Sequence, residues 1–290
     1  KIGIYDMYSD VLRSIFMIKV SDVVVIIPHL GTTPEQEYAF DECYASLKES
    51  VPDMHIVVAK NGPACPHPRD VRIVSQGQCK AVNAAVAMTN EPWILVTNDD
   101  MIYPPGWWHR LADTRYNMNY KNFCISPQLV EPQSGAPTFQ IQSFGGAGGD
   151  FKKEEWINFA NKYESKRLEW MRYSFNLPFL ISRELWNTIG GYDINYDPWG
   201  SNSDSDLEYK IKLAGVQPYQ NTNCLVYHFS QTSGTFHPDN RDHWQQNWDY
   251  FIEKWGFPRT DEGIWEAIFD IPKPPIRKFC PPWEGKYGQI

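Results

Sequence analysis

Three separated groups of residues have types that could carry chemistry. Asn98-Asp99-Asp100 closes an apolar run, and paired carboxylates in that place can hold a hard divalent cation that bridges two phosphates. One of the two acids can equally cap the turn that leads into Pro104-Pro105, and the pair alone does not separate these uses. Ser203-Asp204-Ser205-Asp206 lies just ahead of a helical stretch, where Ser and Asp are ordinary N-caps. Capping needs only one of them, which leaves Asp204 for accepting the proton of an attacking hydroxyl. His228, in Val226-Tyr227-His228-Phe229-Ser230, can offer an imidazole nitrogen to the same cation, although a lone His is more often structural.

These groups need a scaffold that brings them together. Val23-Val24-Val25-Ile26-Ile27 is a continuous β-branched run, the pattern of a strand buried on both faces, and it stops at Pro28. A helix is expected over about 35–50, a second strand over 54–59 and then a turn at Asn61-Gly62-Pro63. Further strands are expected over 71–75 and 93–97, with an Ala-rich helix over about 79–88 between them. This alternation predicts an α/β fold: a mostly parallel sheet sandwiched by helices. Ligands bind outside the carboxyl ends of the strands in such sheets, so Pro28-His29, Asn61-Gly62 and Asp99-Asp100 should share one cleft. Farther on, a strand over 179–182, a helix over 183–189 ending at Gly190-Gly191, and a helix over about 206–214 are expected. Gly145-Gly146-Ala147-Gly148-Gly149 lacks a following Gly-Lys-Ser/Thr and reads as a mobile loop, not a phosphate loop.

Composition narrows the partners. A net charge of -8 over 290 residues disfavours a surface that tracks a phosphate backbone, so nucleic acid is excluded as a partner. Twelve Trp, within 15% aromatic residues, suit core filling first and stacking on sugars or bases second. The six cysteines are scattered without CxxC or zinc-like spacing, so reduced thiols in a cytoplasmic setting are the default expectation. No apolar run is long enough for a transmembrane segment, and a start at Lys1 also suits a domain of a longer or membrane-associated protein.

In their order along the chain these pieces resemble the GT-A fold, a Rossmann-like nucleotide-diphospho-sugar transferase architecture, and within it glycosyltransferase family 2. The resemblance spans roughly residues 21–235. Pro28-His29-Leu30 looks like that family's first nucleotide-binding loop, and Asn61-Gly62 like its second turn. Gly77, Lys80 and Asn83 fall where the family has residues beside the donor. Asn98-Asp99-Asp100 resembles the Asp-x-Asp motif, with Asp100 in the metal-binding place. Gly190-Gly191-Tyr192-Asp193 is similar to the family's Gly-Gly-Phe-Asp segment, and Ser203-Asp204-Ser205-Asp206-Leu207 to its Glu-Asp-x-Asp-Leu base motif. His228 resembles the late metal-binding histidine of many such enzymes. Lys60, Asn98 and Ser203 depart from the pattern, each standing where the family usually has an acid.

The resemblance implies an inverting glycosyltransferase that takes a UDP-sugar as donor and a glycan hydroxyl as acceptor. Asp204 would be the catalytic base and Asp100 with His228 the ligands of Mn2+ or Mg2+. Pro28, His29, Leu30, Asn61, Gly77, Lys80, Asn83, Asn98 and Asp99 would meet the nucleotide-sugar, and Trp199 the acceptor. A retaining transferase on the same fold and a catalytically inactive sugar-binding homologue remain as alternatives. Residues 1–20 read as a lead-in, 21–257 as the transferase domain with its donor half over about 21–130 and its acceptor half over about 131–257, and 258–290 as a Pro-rich tail.

Overall fold

The computed structural model describes residues 18–61, 71–75, 77–112, 123–132, 140–163, 168–170, 177–216, 218–230, 232 and 238–256. The Pro-rich tail, most of the lead-in, Gly62-Pro63, Cys65 and Cys280 lie outside them.

The amino-terminal half is built as the β-branched runs require. Strand β1 (Val23–His29) is buried along its whole length. It is flanked by parallel β2 (His55–Asn61) on one side and parallel β4 (Trp93–Val96) on the other. Strand β3 (Val71–Ser75) continues the parallel set beyond β2. Helix α1 (Pro34–Ser50) starts with Pro at its first position, and the Thr33 hydroxyl accepts from the Gln36 N–H at 3.2 Å. Its Phe40, Cys43 and Leu47, at helical spacing, face the core. Helix α2 (Gln78–Ala87) buries Cys79, Ala81, Val82, Ala85 and Val86, small side chains that let it lie close on the sheet.

Beyond β4 the sheet turns mixed. The chain continues into β5 (Met101–Ile102), a short helix α3 (Trp107–Leu111), β6 (Cys124–Glu131) and β7 (Gln140–Ile141). Helix α4 (Lys153–Lys162), β8 (Leu168–Trp170), β9 (Phe179–Ser182) and helix α5 (Arg183–Ile189) follow. Helix α6 (Ser203–Leu213), β10 (Tyr219–His228) and helix α7 (Arg241–Trp255) complete the described elements. The strand order is β3-β2-β1-β4-β9-β6-β10-β5, with β9 antiparallel to both β4 and β6, and β10 parallel to β6.

That order forces the sheet to curl. Strand β5 lies four steps from β4, which on a flat sheet is roughly 19 Å at the usual strand spacing. The chain covers it between Val96 and Met101, which fully extended reach at most about 18 Å. The carboxyl ends of β4 and β10 therefore approach each other, and the acids of 98–100 bridge the gap.

One boundary differs from the sequence reading. Helix α6 begins at Ser203, not near Asp206, because Asn202 takes the left-handed conformation (φ 66°) and supplies the N-cap position without a side-chain bond. Asp204 thus stands in the first helical turn, where a negative charge is favoured by the exposed N–H groups. At the start of the Gly145–Gly149 segment Tyr227 Oη donates to Gly145 O at 2.6 Å, and Gly146 N–H donates across the loop to Asp150 Oδ1 at 2.9 Å. Cys43, Cys79, Cys124 and Cys224 are buried and carry no disulfide. Among the described residues no helix is long and apolar enough to cross a membrane.

Candidate active site

The acids at the end of β4 meet residues from two other strand ends. β5 pairs antiparallel with β10, setting Met101 opposite His228, and Phe229 N–H donates to Asp100 O at 3.1 Å. This backbone tie places His228 Nε2 3.2 Å from Asp100 Oδ2. On its other side the ring bonds through Nδ1 to Glu131 Oε1, and the Thr232 hydroxyl donates to Asp100 Oδ2. Asp100 Oδ1 is buried and has no hydrogen-bond partner among the described residues. A buried carboxylate oxygen left uncommitted is costly unless something binds it.

The electrostatics follow from the packing. Burial alone would lower His228, but the Asp100 and Glu131 carboxylates outweigh it and raise the imidazole to about 10. Burial alone would raise Asp100, yet the His228 charge and the Thr232 hydroxyl hold it below the usual carboxylate range. Without a cation, the imidazolium proton is what balances this acidic pocket.

Asp99 points the other way. Its Oδ2 lies 2.7 Å from His29 Nδ1, and burial pushes this carboxyl up despite that contact. His29 is itself buried, stacked on Phe40 at 4.0 Å between ring centroids, with Nε2 3.5 Å from Glu37 Oε1. Pro28 is buried beside it in β1, while Leu30 and Asn98 are partly exposed. Asn61 closes β2, two strands from β4.

Asp204 is linked toward the end of β4 through a chain of contacts. Tyr192 Oη donates to Asp204 Oδ1 at 2.9 Å, and burial followed by that carboxylate keeps the phenol protonated. The Tyr192 ring meets Phe179 edge-on, and Phe179 pairs with Val96 at the carboxyl end of β4. Tyr192 is fixed in turn by Asn83, whose amide donates to Tyr192 O at 2.7 Å and accepts from Tyr192 N–H at 2.9 Å. Gly191 must be glycine here, because its φ is +65° and a Cβ would lie 2.5 Å from Asn83 Oδ1.

The structure thus brings Asp100 and His228 into contact, turns the adjacent Asp99 to His29, and links Asp204 toward the end of β4 through Tyr192 and Phe179. Asn83 has its polar atoms bonded to Tyr192, while His29 bonds Asp99 through Nδ1 and its buried Nε2 has no hydrogen-bond partner among the described residues. Gly77 (φ +94°) admits Asp197, whose carboxylate accepts from Cys79 N–H at 2.8 Å and Lys80 N–H at 3.0 Å and so caps α2 from across the fold. The Lys80 side chain is exposed, and Trp199 is half-buried in the loop that Asp197 anchors.

Glu131, Thr232, Asp197 and Lys254 carry site or scaffold contacts that the sequence reading missed. Glu131 was within reach of the rule that found Asp99 and Asp100, since it too is an acid at the carboxyl end of a strand.

No protein-family model matches the sequence, and no curated protein matches it. Among solved structures, the chain is similar to GalNAc-T7, solved with UDP, GalNAc and Mn2+, with a TM-score of 0.51 and 13% identity. That likeness covers 86% of this chain and 50% of the other, so this chain spans about half the length of that protein. It is also matched by the mannosyltransferase PcManGT from Pyrobaculum calidifontis, in complex with GDP-Man and Mn2+, at a TM-score of 0.49 and 16% identity. That match covers 85% of this chain and 68% of the other. The first likeness assigns the architecture: the chain has the GT-A fold.

Proposed function

We propose that the chain is a metal-dependent, inverting glycosyltransferase that moves a sugar from a nucleotide-sugar, with UDP as the expected nucleotide, to a glycan hydroxyl. The observation that carries this reading is the pairing of Asp100 with His228 at the carboxyl edge of a GT-A sheet, with one Asp100 oxygen buried and uncommitted.

The residues present fit a divalent cation. Asp100 and His228 would be the chain's ligands, and since among the described residues no group of three or more His, Cys, Asp or Glu side chains could hold an ion, the remaining positions would be left open. Open positions suit a cation shared with a diphosphate, and an imidazole ligand favours Mn2+ over the oxygen-seeking Mg2+. When bound, the cation supplies charge stabilisation to the departing diphosphate.

The chain's own groups do the rest. Asp204, aimed by the Tyr192 hydroxyl, accepts the proton of the acceptor hydroxyl as its oxygen bonds to the anomeric carbon. The bond from that carbon to the diphosphate breaks with its electron pair going to the diphosphate, which inverts the centre. Pro28, His29, Leu30, Asn61, Gly77, Lys80, Asn83, Asn98 and Asp99 form the donor side. Within that set, the buried His29, Gly77 and Asn83 act by shaping the walls, and Leu30, Lys80 and Asn98 are the exposed candidates for contact. Trp199, in the loop that precedes the helix of Asp204, would offer an aromatic face to the acceptor sugar. The transferase unit is proposed to run over 21–257, since α7 packs into the acceptor half.

A thermal-shift screen of UDP-, GDP- and dTDP-sugars with and without Mn2+ tests the reading, because a ligand that binds the native state raises Tm by mass action. A Mn2+-dependent rise with a nucleotide-sugar is expected, followed by product of inverted anomeric configuration by NMR. No stabilisation by any donor, together with no Mn2+-dependent donor hydrolysis, would sink the proposal.

A further inference from the structure

Glu131 is buried at 6% exposure and, among the described residues, pairs with no Lys or Arg; its ion-pair partner is His228. Burying a carboxylate in this way is costly, and the parallel register explains where the return lies. Val130 of β6 stands opposite Tyr227 of β10, so the next residues, Glu131 and His228, emerge side by side at the ends of their strands. Glu131 is held there from behind, because its carbonyl accepts from Gln142 N–H at 2.9 Å.

We propose that Glu131 is a positioning residue that fixes the His228 ring so that Nε2, and not Nδ1, is presented beside Asp100 as a metal ligand. This rests on the reading of Asp100 and His228 as the ligand pair. A neutral imidazole binds a cation only through the nitrogen that lacks a proton, and that nitrogen is set by the hydrogen bond the other one makes. Glu131 Oε1 accepts the hydrogen bond from Nδ1–H and so keeps the proton on Nδ1, which leaves the Nε2 lone pair directed at the side of the ring where Asp100 lies, 3.2 Å away. Without that acceptor the ring is free to populate both tautomers and to turn, and the ligand pair is no longer preorganised.

Mn2+ binding to the full chain, read from the EPR signal of free aqueous Mn2+ in the presence of UDP, tests this without reference to turnover. E131L and E131A are expected to weaken Mn2+ binding by about 10- to 100-fold, the usual penalty for losing the partner of a ligating histidine. E131Q keeps an amide oxygen that accepts from Nδ1–H and is expected to stay close to wild type. Unchanged affinity in E131L and E131A, or an equal loss in E131Q, overturns the positioning role, the second by showing that only charge matters. Should both apolar variants fail to fold, the wild-type protein loaded with Mg2+ and UDP still decides. Its ring 15N shifts are expected to show His228 protonated at Nδ1, and protonation at Nε2 overturns the proposal. If wild type binds no Mn2+ at all, it is the metal reading itself that fails, an outcome distinct from those above.

Discussion

Lys254 of α7 and Asp206 of α6 lie 2.7 Å apart, Nζ to Oδ1, with neither side chain exposed to solvent. The same ammonium is 2.7 Å from Asp193 Oδ2, so one cation holds together the segment after Gly191, the helix that bears Asp204, and the C-terminal helix. Tyr250 Oη reinforces Asp193 at 2.8 Å, and Trp255 Nε1 donates to Asp206 Oδ1 at 3.0 Å. Lys210 also reaches into the cluster, donating to Gly191 O and lying 3.5 Å from Asp206 Oδ2. Burial would lower Lys254, but the two carboxylates outweigh it and raise it, while the ammonium holds Asp193 down. Removing one member strands buried charge, and the K254M variant is expected to lose about 3 to 5 kcal/mol of stability in urea unfolding. A loss below about 1 kcal/mol would show the cluster to be hydrated and peripheral.

The Asn83 amide spans two backbone groups of Tyr192, and its placement makes it a strut between α2 and the segment after Gly191. Substituting Ala leaves the Tyr192 N–H and C=O buried and unpaired, at a cost of about 1 to 3 kcal/mol for each group. N83A is expected to lower Tm and to slow transfer through the loosened Tyr192–Asp204 contact, while nucleotide affinity of the folded fraction holds. A selective loss of nucleotide affinity with Tm unchanged would instead return Asn83 to the donor site.

Asp197 gives the fold a pH signature. Burial pushes its carboxyl up to about 6, even though the Cys79 and Lys80 N–H groups pull the other way. The native state therefore binds this proton more tightly than the unfolded chain, whose Asp titrates near 4. Stability from this group is complete below about pH 4 and is lost as pH rises to about 6, by an amount on the order of 2 to 3 kcal/mol. D197N removes the titration while keeping an oxygen for the two N–H groups. Urea midpoints of wild type should thus fall relative to D197N across that window, and parallel curves would refute the assignment.

Local signals carried the first four strands and the two helices between them well. The β-branched run at 23–27 and the acids after Val96 follow from short-range chemistry, and β1 to β4, α1 and α2 lie within a residue or two of expectation, whereas β5, α3 and β6 are not expected from the sequence. His228 was visible because a strand end could be recognised around it. Glu131 also closes a strand, but no strand is expected there from the sequence alone, and its link to His228 depends on the β6–β10 register between residues far apart in sequence. Asp197 and Lys254 were hidden for the same reason: one caps a helix more than a hundred positions away, and the other neutralises acids on two earlier segments. The start of α6 was misplaced because Ser203 looks like an N-cap, whereas Asn202 adopts the left-handed turn instead. His29 shows the converse, for a residue at a strand's carboxyl end can be spent on its neighbours, here Asp99, Glu37 and Phe40.

The role of Asp204 is separable from that of the metal pair, because its ties are different. It is bonded to Tyr192, while Asp100 is bonded to His228 and Thr232. D204N keeps an oxygen for the Tyr192 hydroxyl and preserves the shape of the loop, but an amide cannot accept a proton at neutral pH. Transfer by D204N is expected to fall by at least about 100-fold, the scale of a lost general base. Donor and Mn2+ affinity should stay near wild type. D100N should behave oppositely, losing Mn2+-dependent donor binding while the Tyr192–Asp204 contact persists. Parallel titrations of nucleotide-sugar binding and initial rates for the two variants separate the roles. If D204N transfers at the wild-type rate, or if both variants lose donor binding alike, Asp204 is part of the donor pocket and the base lies elsewhere.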